Sequence, residues 1–269
     1  NNAISASSVT FTAREIGVAD TTAPTITFNP ANSATGVVKN SNITLTFSEA
    51  IRNNDNTVIT DSNVGSLITL KSTSSSGANI GFAASINTAK TVITINPTSD
   101  FSSEQVIYVA IGSTVEDLYD NALIASSATF TAIDTISPTL TFDPVDLENP
   151  VPVSDNITIT FNEAVRNTND SALTSSNVDG LITLKDSDEN GTDIDFNATI
   201  DSDKKIITIN PDSNFSSEQT IYVAIGATLE DDSDNAISAG EITFVAADST
   251  APNLDFTPAN SDTGIAINS

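Results

Sequence analysis

The chain has 269 residues, with nine Lys and Arg against 35 Asp and Glu, a formal net charge of −26, and no Cys, His, Met or Trp. Those absences exclude disulfides, thiolate zinc sites, haem thioethers, His-ligated metals and Ser-His-Asp triads. So acidic a surface repels nucleic-acid phosphates and anionic membranes but attracts cations, and no apolar run approaches the roughly 20 residues that span a bilayer.

In chain order, strand signals dominate. A Thr-Ile-Thr-Phe run at residues 25–28 opens the series. Residues 42–47 alternate polar and apolar, as do 91–96, which is the period of a half-buried strand. Between them lie strand runs at 67–70 and 80–83, and a short helical turn is expected near 61–66. Residues 106–111 (Val-Ile-Tyr-Val-Ala-Ile) read as a more buried strand, and residues 128–131 close the series. Thr, Val and Ile suit pleated, half-buried surfaces. Asn/Asp- and Ser/Gly-rich clusters at 53–56 and 72–77 supply the turns.

The same series then repeats. Phe101-Ser-Ser-Glu-Gln-Val-Ile-Tyr-Val-Ala-Ile-Gly112 returns as Phe215-Ser-Ser-Glu-Gln-Thr-Ile-Tyr-Val-Ala-Ile-Gly226, an offset of 114. That offset also carries Phe47-Ser-Glu-Ala50 to Phe161-Asn-Glu-Ala164, and Asp20 to Asp134 to Asp248. Two whole repeats are expected, 20–133 and 134–247. Residues 1–19 are expected to be the tail of a preceding repeat and 248–269 the head of a following one. The first tail carries five extra residues before Asp20. The chain is therefore expected to be a segment of a longer array. The first repeat has 9 acidic and 4 basic residues, the second 22 and 4. Acidity thus drifts while the fold-specifying positions stay put. About seven short strands per repeat point to an all-β chain of tandem immunoglobulin-like β-sandwiches, each of two packed antiparallel sheets. Short linkers at Pro24, Pro138 and Pro252 place them end to end.

These residues resemble a known family. Asp20-Thr-Thr-Ala-Pro24, Pro30-Ala-Asn-Ser-Ala-Thr-Gly36, Ile43-Thr-Leu-Thr-Phe-Ser-Glu-Ala-Ile51 and Val115-Glu-Asp-Leu-Tyr-Asp-Asn121 are similar to the bacterial immunoglobulin-like domains of S-layer proteins and large surface adhesins. Asp120 and Asp234 stand where that pattern usually has Gly. The resemblance implies a stalk or spacer module in an exported, extracellular cell-surface protein. It covers nearly the whole chain and is specific for fold, only loosely for function.

Chemistry is expected in the acidic loop Glu116, Asp117, Asp120, Asn121 and its copy Glu230, Asp231, Asp234, Asn235. Ca²⁺ takes six to eight hard oxygens, and such loops supply several. Glu49 and Glu163 could add one each, and Asp20, Asp134 and Asp248 could complete a site at a domain junction. The competing reading is that Asp117 and Asn121 cap a turn through backbone N–H groups. Paired carboxylates for glycoside hydrolysis would need a sugar cleft, which a chain with 6% aromatic residues hardly furnishes. Lys71 and Lys185, at one repeat position, read as edge lysines rather than isopeptide donors. Asp-Thr/Ser triplets at 20–22, 134–136, 170–172 and 248–250 resemble a bacterial O-glycosylation motif.

The expectation is therefore a non-enzymatic structural protein: a stalk or filament segment of a secreted adhesin. The alternatives are a self-assembling S-layer or matrix protein, or an accessory array of a secreted polysaccharide-degrading enzyme. Expected partners are the neighbouring repeats of the chain, a surface glycan or protein target reached through other regions, and further copies in a filament or lattice.

Overall fold

The computed structural model describes residues 20–255. The readings of 1–19 as a repeat tail and of 256–269 as part of a repeat head lie outside the described residues. Two compact units divide at Asp134/Thr135.

The first unit is built from β1 (Ile26–Asn29), β2 (Ala34–Val37), β3 (Ile43–Phe47), β4 (Arg52–Asn53), β5 (Ile68–Ser72), β6 (Phe82–Ile86), β7 (Val92–Pro97), β8 (Val106–Ile111), β9 (Val115–Glu116) and β10 (Ser126–Ala132), with a 3-10 turn at Val64–Leu67. One sheet runs β1-β3-β7-β6 and the other β2-β10-β8-β5, while β4 and β9 form a short ribbon. This is the immunoglobulin-like strand order. The alternation read in the sequence sets the faces: Ile43, Leu45 and Phe47 are buried, while Thr44 and Thr46 between them are not. Opposite them Ile93 and Ile95 pair through the Leu45↔Ile93 and Ile43↔Ile95 registers. Phe101 and Phe130 meet edge-to-face, ring centroids 5.7 Å apart, in the buried core.

Three departures from the sequence reading have physical causes. The run at 80–83 does not open a strand. The Ile80 N–H donates to the Leu70 carbonyl, completing a hairpin on β5, and only from Phe82 does the chain join the other sheet. The first strand is also split. After β1 the backbone turns through Ser33 (φ 65), and β2 crosses to pair parallel with β10. Ten strands result instead of about seven, because β2 and the two-residue pair β4/β9 are too short to leave a periodic signal.

The second unit repeats this plan with β11 (Leu140–Asp143), β12 (Ile157–Phe161), β13 (Arg166–Asn167), β14 (Ile182–Asp186), β15 (Phe196–Ile200), β16 (Ile206–Pro211), β17 (Thr220–Ile225), β18 (Leu229–Glu230) and β19 (Gly240–Val245). Its register matches at the 114-residue offset: Ile157 pairs with Ile209 as Ile43 pairs with Ile95. The counterpart of β2 shrinks to one parallel bridge, Val151↔Ala246. Pro150 and Pro152 flank it, and a residue without an N–H cannot extend a ladder. Each unit has its own hydrophobic core.

Candidate functional site

The loop after β9 begins with Asp117, which is fully buried (0% exposed). One carboxylate oxygen accepts the Tyr119 N–H (2.7 Å) and the Asn121 N–H (2.9 Å); the other accepts the Asn121 side-chain amide (2.7 Å). This is an Asx-turn closed by its own asparagine. Burial pushes the Asp117 carboxyl up, but the hydrogen bonds from Asn121 and Tyr119, with the nearby Arg52 charge, hold it below the usual carboxylate range. Asp120 has φ 70, in the left-handed region that Asp tolerates better than most residues.

Arg52, on β4, reaches across to this loop. Its Nε donates to Glu116 at 3.1 Å and its Nη2 pairs with Asp120. Glu116 is only 6% exposed, so the guanidinium supplies the charge that a buried carboxylate requires. The second unit reproduces the arrangement. Asp231 accepts from the Ser233 and Asn235 N–H groups and from the Asn235 amide. Arg166 holds Glu230 and Asp234, and also Asp170. Burial lowers the Arg166 pKa, but these three carboxylates more than reverse that and raise it.

The predicted ligands therefore separate into two groups. Glu116, Asp120, Glu230 and Asp234 face an arginine. The carboxylates of Asp170, Glu230 and Asp234 do converge, but around the Arg166 cation. Asp117, by contrast, lies with Asp20 and Glu49, one carboxylate oxygen of each within 4.8 Å of the others. Glu49 reaches this group from the loop after β3, and Asp20 from the start of the unit, where its carbonyl accepts the Asn121 side-chain amide at 3.0 Å. Partial burial, then the charges of Asp117 and Asp20, raise the Glu49 pKa. Hard oxygens in such a group suit Ca²⁺ or Mg²⁺, with carbonyls and water filling the remaining positions.

Among the other predicted ligands, Glu163 accepts the Asn162 side-chain amide at 3.4 Å. Asp134 accepts the Ser103 hydroxyl. Asp248 accepts the Ser217 hydroxyl (2.7 Å) and the Thr250 N–H (2.8 Å). Sequence reasoning missed Arg52 and Arg166. The available signal was that arginine occurs in each whole repeat only there, at positions 114 apart.

Strand order, paired cores and the repeated Asx loop define a tandem array of immunoglobulin-like sandwiches. Residues 20–132 and 134–245 each match the bacterial Ig-like domain family, and the chain belongs to that family. No curated protein matches the chain. Similar solved structures include the N-terminal part of the bacterial S-layer protein SbsC (12% identity, 84% of this chain and 44% of that one, TM-score 0.30). InvD of Yersinia pseudotuberculosis is another (16% identity, 86% and 61%, TM-score 0.30), as is the adhesin InvE of the same organism (13%, 83% and 58%, TM-score 0.26). The chain thus spans less than half of the SbsC fragment, and whole-chain likenesses this low carry no functional argument. Among the described residues no helix is long and apolar enough to cross a membrane.

Proposed function

We propose that this chain is a non-catalytic stalk segment of a secreted, cell-surface adhesin, spacing a binding region away from the cell. The observation that supports this best is the gapless 114-residue period: two sandwiches, each with its own core, carry the same strand register. Repetition of one fold without variation of a cleft suits reach better than reaction. Small-angle scattering of the 269-residue chain tests it. An end-to-end pair gives a maximum dimension of about 70–90 Å, at roughly 35–45 Å per sandwich, since strands rise about 3.3 Å per residue. A compact pair near 55 Å would refute the stalk reading.

A second element of the proposal is Ca²⁺ at Asp20, Glu49 and Asp117, favoured by the convergence of those carboxylates. The ion would tie the start of the sandwich to two of its loops and restrict bending there. Thermal melts in Ca²⁺ and in chelator test this. At one hundred times its Kd, a bound ion adds about 2.7 kcal/mol to the folded state. An identical first-unit transition in both buffers would leave Asp117 with turn capping alone.

A further inference from the structure

Strand β8 lies between β10 and β5 in a sheet whose inner side packs the core of the first unit. Its Ile107, Val109 and Ile111 are buried, so the alternating Tyr108 and Ala110 point outward. Cross-strand partners share a face. The registers therefore set two outward rows side by side, Lys71–Tyr108–Thr129 and Thr69–Ala110–Ser127. In the second row the middle residue is small, which leaves a dip beside the Tyr108 ring. The dip continues past Gly112 and Ser126 as an open groove of about 320 Å³.

The two units treat this place differently. In the first, the hydroxyls of Thr69, Tyr108 and Ser127 line the groove and have no hydrogen-bond partner among the described residues. In the second, Glu241 stands in place of Ser127 and Glu189 in place of Ser75. The phenol of Tyr222, the copy of Tyr108, donates to Glu241 at 2.6 Å, and Glu189 adds negative charge near it. The strand register is the same, with Lys185 opposite Tyr222 and Ala224 opposite Glu241. The sheet thus folds equally well with the phenol tied and a carboxylate beside it. The open, hydroxyl-lined form is a property of the first unit and not of the fold. Charge differs too. On the outward positions of β5, β8 and β10 the one charged residue is Lys71, which makes no ion pair among the described residues, whereas its copy Lys185 is paired with Asp193 at 3.2 Å.

We propose that this groove of the first unit binds a neutral saccharide, with a pyranose ring stacked on Tyr108 and its hydroxyls bonded to Thr69, Ser127 and the Tyr108 phenol. Each part has matching chemistry. The negative face of an aromatic ring attracts the C–H groups on one side of a pyranose. Protein hydroxyls both donate and accept, as sugar hydroxyls do, and the Lys71 ammonium beside Tyr108 adds further donors. The volume lies at the low end of small-ligand sites, which suits about one or two sugar units. A neutral ligand is favoured over an acidic one, because a single ammonium does not offset a chain of net charge −26, whose field repels a polyanion. The site gives the first unit a ligand of its own. It depends neither on the end-to-end arrangement of the units nor on Ca²⁺.

Amide NMR of the isotope-labelled full chain tests this. The chain is titrated with neutral hexasaccharides of glucose, mannose, galactose and xylose, and with oligogalacturonate as the acidic counterpart. Each is taken to about 20 mM, above the roughly millimolar Kd that a few ligand atoms support. At least one neutral sugar should saturably shift the amides of Thr69, Tyr108, Ala110 and Ser127 and leave those of Thr183, Tyr222, Ala224 and Glu241 in place. Tyr108→Ala should weaken that binding at least about tenfold, as removal of an aromatic anchor does. Ser127→Glu, which copies the second unit, should weaken it as much while Tm stays unchanged. No saturable shift with any of the neutral sugars, equal shifts in both units, shifts with oligogalacturonate alone, or full affinity in Ser127→Glu would overturn the site.

Discussion

Replacing Asp117 by Ala tests what holds the loop in place. The substitution removes an acceptor of three hydrogen bonds at 2.7–2.9 Å and leaves the Tyr119 and Asn121 N–H groups and the Asn121 amide without it. Each hydrogen bond to a charged group contributes about 1.5–3 kcal/mol, but three on one residue are not additive and the loop can admit water, so a loss of about 3 kcal/mol is expected. For a unit of this size that lowers Tm by about 10–15 °C. Scanning calorimetry in chelator should show one transition falling while that of the second unit stays, and Asp231→Ala should do the converse. The pH dependence is a sharper test. A carboxyl held below its ordinary range stabilises the fold above the unfolded value, about 3.9, and that stability is lost as pH falls through the folded value. The difference between wild type and Asp117→Ala should therefore be full at pH 6 and shrink below pH 4. A fall of less than about 2 °C at pH 6, or one that does not depend on pH, would refute the reasoning, since under 0.5 kcal/mol is the scale of an ordinary surface change.

Other substitutions probe the surrounding charges and edges. Glu49→Gln should raise the first-unit Tm in chelator by about 2–4 °C, because a carboxyl with a raised pKa destabilises the fold once pH exceeds that value; it should also remove any Ca²⁺ stabilisation. Arg166→Met leaves Glu230, 7% exposed, without its cation and should cost about 2–4 kcal/mol in denaturant unfolding of the second unit. Tyr222 is pushed up to about 12, first by its hydrogen bond to Glu241, then by burial and the charges of Glu241 and Glu189; ultraviolet titration of Glu241→Gln should show it ionising at lower pH. Asp61→Ala frees the Ile86 N–H on the edge strand β6, and Asp179→Ala frees the Ala198 N–H on β15; each should cost about 1–2 kcal/mol, read as a lower Tm of its unit.

That last pair shows where sequence reading stops. The same task, capping an edge-strand N–H, is done in the first unit by Asp61 and in the second by Asp179, which are not 114 apart. Offset comparison cannot match them, because the requirement belongs to the exposed backbone of the edge strand rather than to a sequence position. Likewise Arg52 and Glu116 are 64 residues apart and become neighbours only when β4 pairs with β9. The carboxylates were legible as an acidic loop. Their division into arginine-bound and converging groups was not, since a two-residue ribbon leaves no periodic trace.

Local chemistry wrote the period, the strands and the Asx loop into the chain, because alternation and side-chain-to-backbone bonding act over a few residues and survive translation by 114 positions. Two sheets stacked face to face decided the rest. Only their closure brings the loops after β3 and β9 beside Asp20, and Coulomb forces between Asp20, Glu49 and Asp117 depend on that separation in space, which spacing along the chain does not fix.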